Sequence, residues 1–117
     1  MPFDLHNLPH TEFDWPETLK IHQGNEALAT QLSAMLLNQL PEFEKNFALA
    51  SKNQNWQELG KQVHKLRGGL CYLSAPKLDF LLKNLEDQAH NNHSKNIQAL
   101  YLLVIESMAR LKEVLSQ

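Results

Sequence analysis

Residues 56–89 read WQELGKQVHKLRGGLCYLSAPKLDFLLKNLEDQA. Trp56, Leu59, Val63, Leu66, Leu70 and Leu73 follow one another at steps of three, four, three, four and three, the period of one buried helix face. Ser74-Ala75-Pro76 turns the chain, and Leu78, Leu81, Leu82, Leu85 and Ala89 then repeat the helical pattern. Two such stripes joined by a short turn form an antiparallel helix pair that must bury its apolar faces against further helices.

The flanks supply those helices. Upstream, Asp14-Trp15-Pro16-Glu17 joins a capping Asp, a first-turn Pro and an early Glu, and Gly24-Asn25 closes the short helix they start. A second helix is expected from about Glu26, with Leu28, Leu32, Met35 and Leu36 on one face. Pro41 is expected to bend it or to open a new helix carrying Phe43, Phe47 and Ala50. Ser51-Lys52-Asn53-Gln54-Asn55 is the next break, with Asn55 as N-cap of the helix at Trp56. After His90-Asn91-Asn92-His93-Ser94, a last helix shows Ile97, Leu100, Val104, Met108, Leu111 and Leu115. No strand-type alternation and no fixed repeat interrupts this. The fold expected is all-α, an antiparallel four-helix bundle with additional short N-terminal helices. Residues 1–13 read as an N-terminal tail or linker and 14–117 as one domain.

Composition narrows the function classes. Only four glycines and five prolines in 117 residues favour long regular elements. A net charge of −2 argues against nucleic acid and against attraction to an anionic membrane. The longest apolar run, Ala99 to Ile105, falls far short of the roughly 20 residues of a membrane span. Met1 to Phe13 lacks the pattern of a secretory signal. One cysteine, Cys71, makes no internal disulfide and is expected in the core. These features fit a cytoplasmic domain, expected to be a monomer.

Chemistry concentrates at Lys61-Gln62-Val63-His64-Lys65-Leu66-Arg67-Gly68-Gly69. Two glycines inside a helix cost about 2 kcal/mol relative to alanine, so they need a use. Gly68 could be a C-cap. Leu70 and Leu73, however, continue the stripe without a phase break, which favours a helix running through. Gly60 and Gly68 then lie one turn either side of His64 and clear its flanks for a large partner. His64 itself sits about 100° around from Val63, towards solvent. Lys61, Lys65, Arg67 and Lys77 occur between Leu59 and Leu78 with no acidic residue, a local focus for an anion or an acidic partner. Arg67, almost one turn on from His64, can fold back towards phosphoryl oxygens, and Lys65 can meet an acidic rim. Ala75 is eleven residues from both His64 and Glu86, so across the hairpin Glu86 can reach the imidazole. A carboxylate on one ring nitrogen leaves the other as a nucleophile. His6 and His10 fall in the tail and His22 near a helix end. His90 and His93 could share a helix face as metal ligands, but two ligands in an Asn-rich break read as solvated loop, and no metal site is expected. No Gly-rich phosphate loop is present for ATP.

The run from His64 to Leu78, followed by Leu85-Glu86, resembles the signature of histidine-containing phosphotransfer (HPt) domains: His, a basic residue three on, Gly four on, and a Leu-Glu pair ending 22 residues on. Asp14-Trp15, Gly24-Asn25 and Asn55-Trp56 match its upstream landmarks. Ser74 stands where Gly is usual and Arg67 where Lys is commoner. The resemblance covers about 100 residues and is strongest to the C-terminal HPt domain of bacterial tripartite hybrid sensor kinases. It implies a carrier, not an autonomous kinase, that accepts a phosphoryl group on His64 from a receiver-domain aspartate and passes it to a response-regulator receiver. Partners would be those receiver domains. No cofactor is expected on this chain, and Mg2+ would sit in the receiver. Two other readings stand beside it: an HPt-like helical adaptor that binds partners without phosphotransfer, and a metal-binding bundle using His64 with His90 or His93.

Overall fold

The first three helices each start where a side chain can replace a missing backbone partner. In the computed structural model, which describes residues 7–91 and 94–117, the Asp14 carboxylate accepts from Glu17 N at 3.1 Å and starts α1, Trp15–Ile21. α1 ends after seven residues because Gln23 and Gly24 take positive φ, 58° and 81°. Asn25 caps α2, Glu26–Lys52, through Leu28 N at 3.0 Å. Asn55 caps α3, Trp56–Gly69, through Glu58 N at 3.1 Å. α4 is Pro76–His90 and α5 is Ser94–Leu115. Among the described residues every regular element is helical.

α2 packs on α3 and α5, and α4 packs on the same two, so α2–α5 close a four-helix ring around one core. Phe47, Leu59, Val63, Leu66, Leu78, Leu82, Leu85, Ile97, Leu100 and Met108 are wholly buried there. Two expectations for α2 need correction. Pro41 opens no new helix; α2 runs through it. Pro41 is exposed, so the Leu37 carbonyl that loses a partner lies on the side where water can satisfy it. The apolar face is also shifted by one residue. Leu28 and Met35 are exposed, and Ala29, Ser33, Leu36 and Leu40 face the core. Both sets have helical spacing, but small Ala29 and Ser33 let α2 approach closely where larger side chains would hold it away.

α3 continues through both glycines. Gly69 (φ −68°, ψ −29°) and Leu70 (φ −73°, ψ −8°) remain right-handed, and the chain tightens into a 3₁₀ turn over Leu70–Tyr72. Gly68 is therefore not a left-handed cap. Leu70 and Leu73 stay buried, whereas Cys71 is exposed, contrary to the expected core position. It lies about 100° around the turn from Leu70 and donates weakly to the Arg67 carbonyl at 3.7 Å.

The N-terminal segment does more than precede the bundle. Leu8 and Phe13 pack against the core, Thr11 O accepts from Lys77 N at 3.1 Å, and Glu12 pairs with Lys77 at 3.2 Å. Ser107 Oγ donates to Glu12 at 2.9 Å. The polar contacts among these are backbone and single-carboxylate bonds that hydropathy does not register, so a reading that starts the domain at Asp14 passes over them. Residues 1–6, His6 among them, lie outside the described residues. Fully buried Thr18 ties this end to the α3–α4 turn: its hydroxyl donates to Asp14 O at 2.8 Å and accepts from Ser74 N at 3.0 Å. Thr18→Val should lower stability by about 1–2 kcal/mol in urea unfolding, because it strands Ser74 N, although Asp14 O keeps its bond from Thr18 N at 3.0 Å; Thr18→Ser should recover most of the loss.

Candidate functional site

Burial of Val63 and Leu66 fixes the roll of α3 and turns His64 outward, its side chain 75% exposed. α3 and α4 fold back on one another around Ser74-Ala75, which brings Glu86 level with it. His64 Nδ1 lies 2.9 Å from Glu86 Oε2. An ionised carboxylate can only accept, so Nδ1 carries the proton and Nε2 of the neutral ring keeps its lone pair. The nitrogen that can attack is the one facing away from the bundle.

Glu86 is the pivot of the site, only 13% exposed. Its Oε1 accepts from Arg67 Nη1 at 2.9 Å, and Arg67 Nε lies 3.7 Å from Asp79 Oδ1. Burial pushes the Glu86 carboxyl up, but hydrogen bonds from Arg67 and His64 more than offset this and leave it below the ordinary carboxylate range. The hydrogen bond to Glu86 in turn raises the Arg67 guanidinium, against its desolvation. Glu86 is thus a fixed anion at neutral pH.

The basic cluster is smaller in space than along the chain. The sequence reading aims Arg67 at phosphoryl oxygens, yet the structure lays it on Glu86 and Asp79. Lys77 is paired with Glu12. Both acceptor sets lie outside the stretch from Leu59 to Leu78, so a count within it cannot include them. Among the described residues Lys61 and Lys65 pair with no carboxylate, and these two exposed cations flank His64.

The two glycines also part company. Gly68 is exposed, and a Cβ there would meet nothing within 4 Å. Its bareness serves nothing inside this chain; it keeps the surface beyond His64 open. Gly60 is buried at the crossing with α4, where a Cβ would meet Ala89 Cβ at 3.5 Å, so it does not clear the outer surface as expected.

Sequence reading missed two features. His90, set aside as solvated loop or metal ligand, is the last residue of α4, and its Nε2 lies 3.9 Å from Glu86 Oε2. Its spacing of four from Glu86 was the available signal. With Gly60, Lys61, His64 and Glu86 it lines a hollow of about 360 Å³. On the other side of α3, Phe43, Asn46, Gln62, Lys65 and Gly69 line a groove of about 430 Å³ against α2. No group of three or more metal-ligating side chains occurs among the described residues, and His93 lies outside them. His22 is engaged elsewhere, its Nε2 donating to Tyr72 O at 2.6 Å.

The His64 imidazole, held at its inner nitrogen by a mostly buried carboxylate and open at its outer nitrogen, has the geometry of a nucleophile that can take up a group on that outer nitrogen. The chain belongs to the Hpt domain family, whose model matches residues 28–117, and so is a histidine phosphotransfer module of phosphorelay signalling. It is 30% identical over 80 residues to the signal transduction histidine-protein kinase BarA of Escherichia coli K12 and to that of Shigella flexneri. Those 80 residues are 68% of this chain but 9% of either kinase, so the chain spans a small fraction of these relatives. Its fold matches the crystal structure of the HPT domain from a sensor hybrid histidine kinase of Shewanella with a TM-score of 0.84 at 22% identity, covering 97% of this chain and 94% of that one.

Proposed function

We propose that Nε2 of His64 accepts a phosphoryl group from the phospho-aspartate of a hybrid kinase's receiver and delivers it to the aspartate of a response-regulator receiver. The observation that carries this is the 2.9 Å bond from His64 Nδ1 to Glu86 beside an exposed Nε2. In the forward step the Nε2 lone pair forms a P–N bond as the P–O bond to the aspartate breaks, and the carboxylate leaves with its electron pair. The ring keeps its Nδ1 proton and becomes cationic, a charge that Glu86 is placed to stabilise. Magnesium is assigned to the receiver's carboxylates, and this chain to the role of carrier and not kinase. No helix of the described residues is long and apolar enough to cross a membrane. We place the domain in the cytoplasm as a monomer that meets one receiver at a time.

The deciding experiment is transfer from a panel of phosphorylated receivers to this chain. Acid-labile, alkali-stable label on His64 is the expected result. A panel in which no receiver passes label, although some bind, would leave the adaptor reading instead.

The charges near His64 divide by geometry. Lys65 is unpaired and at the groove, so Lys65→Ala should weaken receiver association a few-fold in low salt, with the deficit shrinking as salt screens the encounter. Arg67 acts through Glu86. Arg67→Ala should cost about 1–3 kcal/mol of stability at neutral pH, because a mostly buried carboxylate loses its donor. Glu86 titrates below its ordinary value in the folded state. The contribution is therefore fully present above the usual carboxylate range and is lost as pH falls through the lower folded value. Urea unfolding of both proteins at neutral and acid pH should show the gap closing on acidification.

A further inference from the structure

Two imidazoles approach one oxygen of Glu86. His64 Nδ1 lies 2.9 Å from Oε2, and His90 Nε2 approaches the same atom to 3.9 Å from one turn further along α4. Arg67 occupies Oε1, so Glu86 cannot satisfy the two rings with separate oxygens. Both histidines are largely exposed, and both line the hollow shared with Gly60 and Lys61. We propose that His90 is a positioning residue for phosphotransfer, competing for Glu86 Oε2 and so setting how firmly the carboxylate holds the Nδ1 proton of His64. This rests on the reading of His64 as the acceptor.

At 3.9 Å a neutral His90 makes no hydrogen bond, and His64 has Oε2 to itself. Histidines gain a proton within the range of about pH 5–8, and a cationic ring at this spacing becomes a charge-assisted donor to the carboxylate. The groups that line the hollow with His90 are Lys61 and His64 from α3 and Glu86 on its own helix. Among the described residues no charged group of α5 lines the hollow. Once charged, His90 draws Oε2 away from Nδ1. More of the neutral His64 population then carries its proton on Nε2, the nitrogen that must attack, and transfer slows.

Two readouts on the full chain test this: the His64 tautomer from nitrogen-correlated NMR across pH, and single-turnover transfer from a phosphorylated receiver. They are applied to the wild type, His90→Asn, Glu86→Gln and the double variant. His90→Asn should keep the Nδ1–H tautomer to lower pH, and should transfer about twofold faster than wild type near pH 6 while equal near pH 8, the size expected for an exposed pair one turn apart. In the Glu86→Gln background His90→Asn should change neither readout. Identical tautomer and rate profiles for wild type and His90→Asn overturn the proposal, as does an effect that survives Glu86→Gln. If the wild type accepts no phosphoryl group, the phosphotransfer reading fails, and the NMR comparison still decides whether His90 and His64 are coupled.

Discussion

His64→Gln should abolish acceptance of phosphoryl from every receiver while leaving stability within about 0.5 kcal/mol of the parent, as for an exposed position away from packing. The loss should be complete because an amide offers no lone pair of comparable nucleophilicity, and no rearrangement of the site can supply one. Stability should hold because the side chain is 75% exposed and the helix face is fixed by Val63 and Leu66 beside it. Glu86 keeps its Arg67 partner in the variant, so no buried charge is stranded. The measurement is acid-labile label after incubation with a phosphorylated receiver, alongside circular dichroism and urea unfolding. His90 is the informative competitor, since its ring is 70% exposed and touches the same hollow. Label that persists in His64→Gln and disappears only when His90 is also replaced would move the acceptor to α4.

The parts of the site that sequence made legible are those fixed by helical periodicity. The stripe from Trp56 to Leu73 sets which way His64 points, and equal distances from Ala75 set which residue of α4 stands opposite. Both are properties of one hairpin, where sequence separation converts directly into height. Legibility ended where partners come from elsewhere. Lys77 looks like a free cation until Glu12 of the N-terminal segment is laid beside it. Arg67 is missed within the hairpin, because the sequence places Glu86 opposite His64 without showing that the same carboxylate also takes the guanidinium. In α2 the two candidate faces differ by one residue, and side-chain size favoured the wrong one. Hydrophobicity rewards Leu28 and Met35, whereas close helix approach requires Ala29 and Ser33. Cys71 shows a related limit, because residue type suggested the core while its position, one residue on from buried Leu70, turns it off the buried face.

Gly68→Gln should move stability and function in opposite directions. A helical glycine is about 1 kcal/mol less favourable than a good helix former, and a Cβ at Gly68 meets nothing within 4 Å, so the variant should melt later. The site's own bonds should be intact, with His64 still held by Glu86. The added side chain instead projects from the next turn of the same face, into the space that a receiver must enter for in-line attack by Nε2. In-line transfer tolerates little displacement, and a misplacement of about 1 Å can cost 10²-fold, so transfer should slow by roughly one to two orders of magnitude. Gly68→Ala should fall between, since a methyl group fills little of that space. Thermal unfolding and rapid-quench transfer on the three proteins would show whether rate falls as bulk rises while stability does not. Sharp destabilisation by Gln with an unchanged transfer rate would return Gly68 to a purely structural role, and with it the clearing beside His64 would lose its meaning as a docking surface.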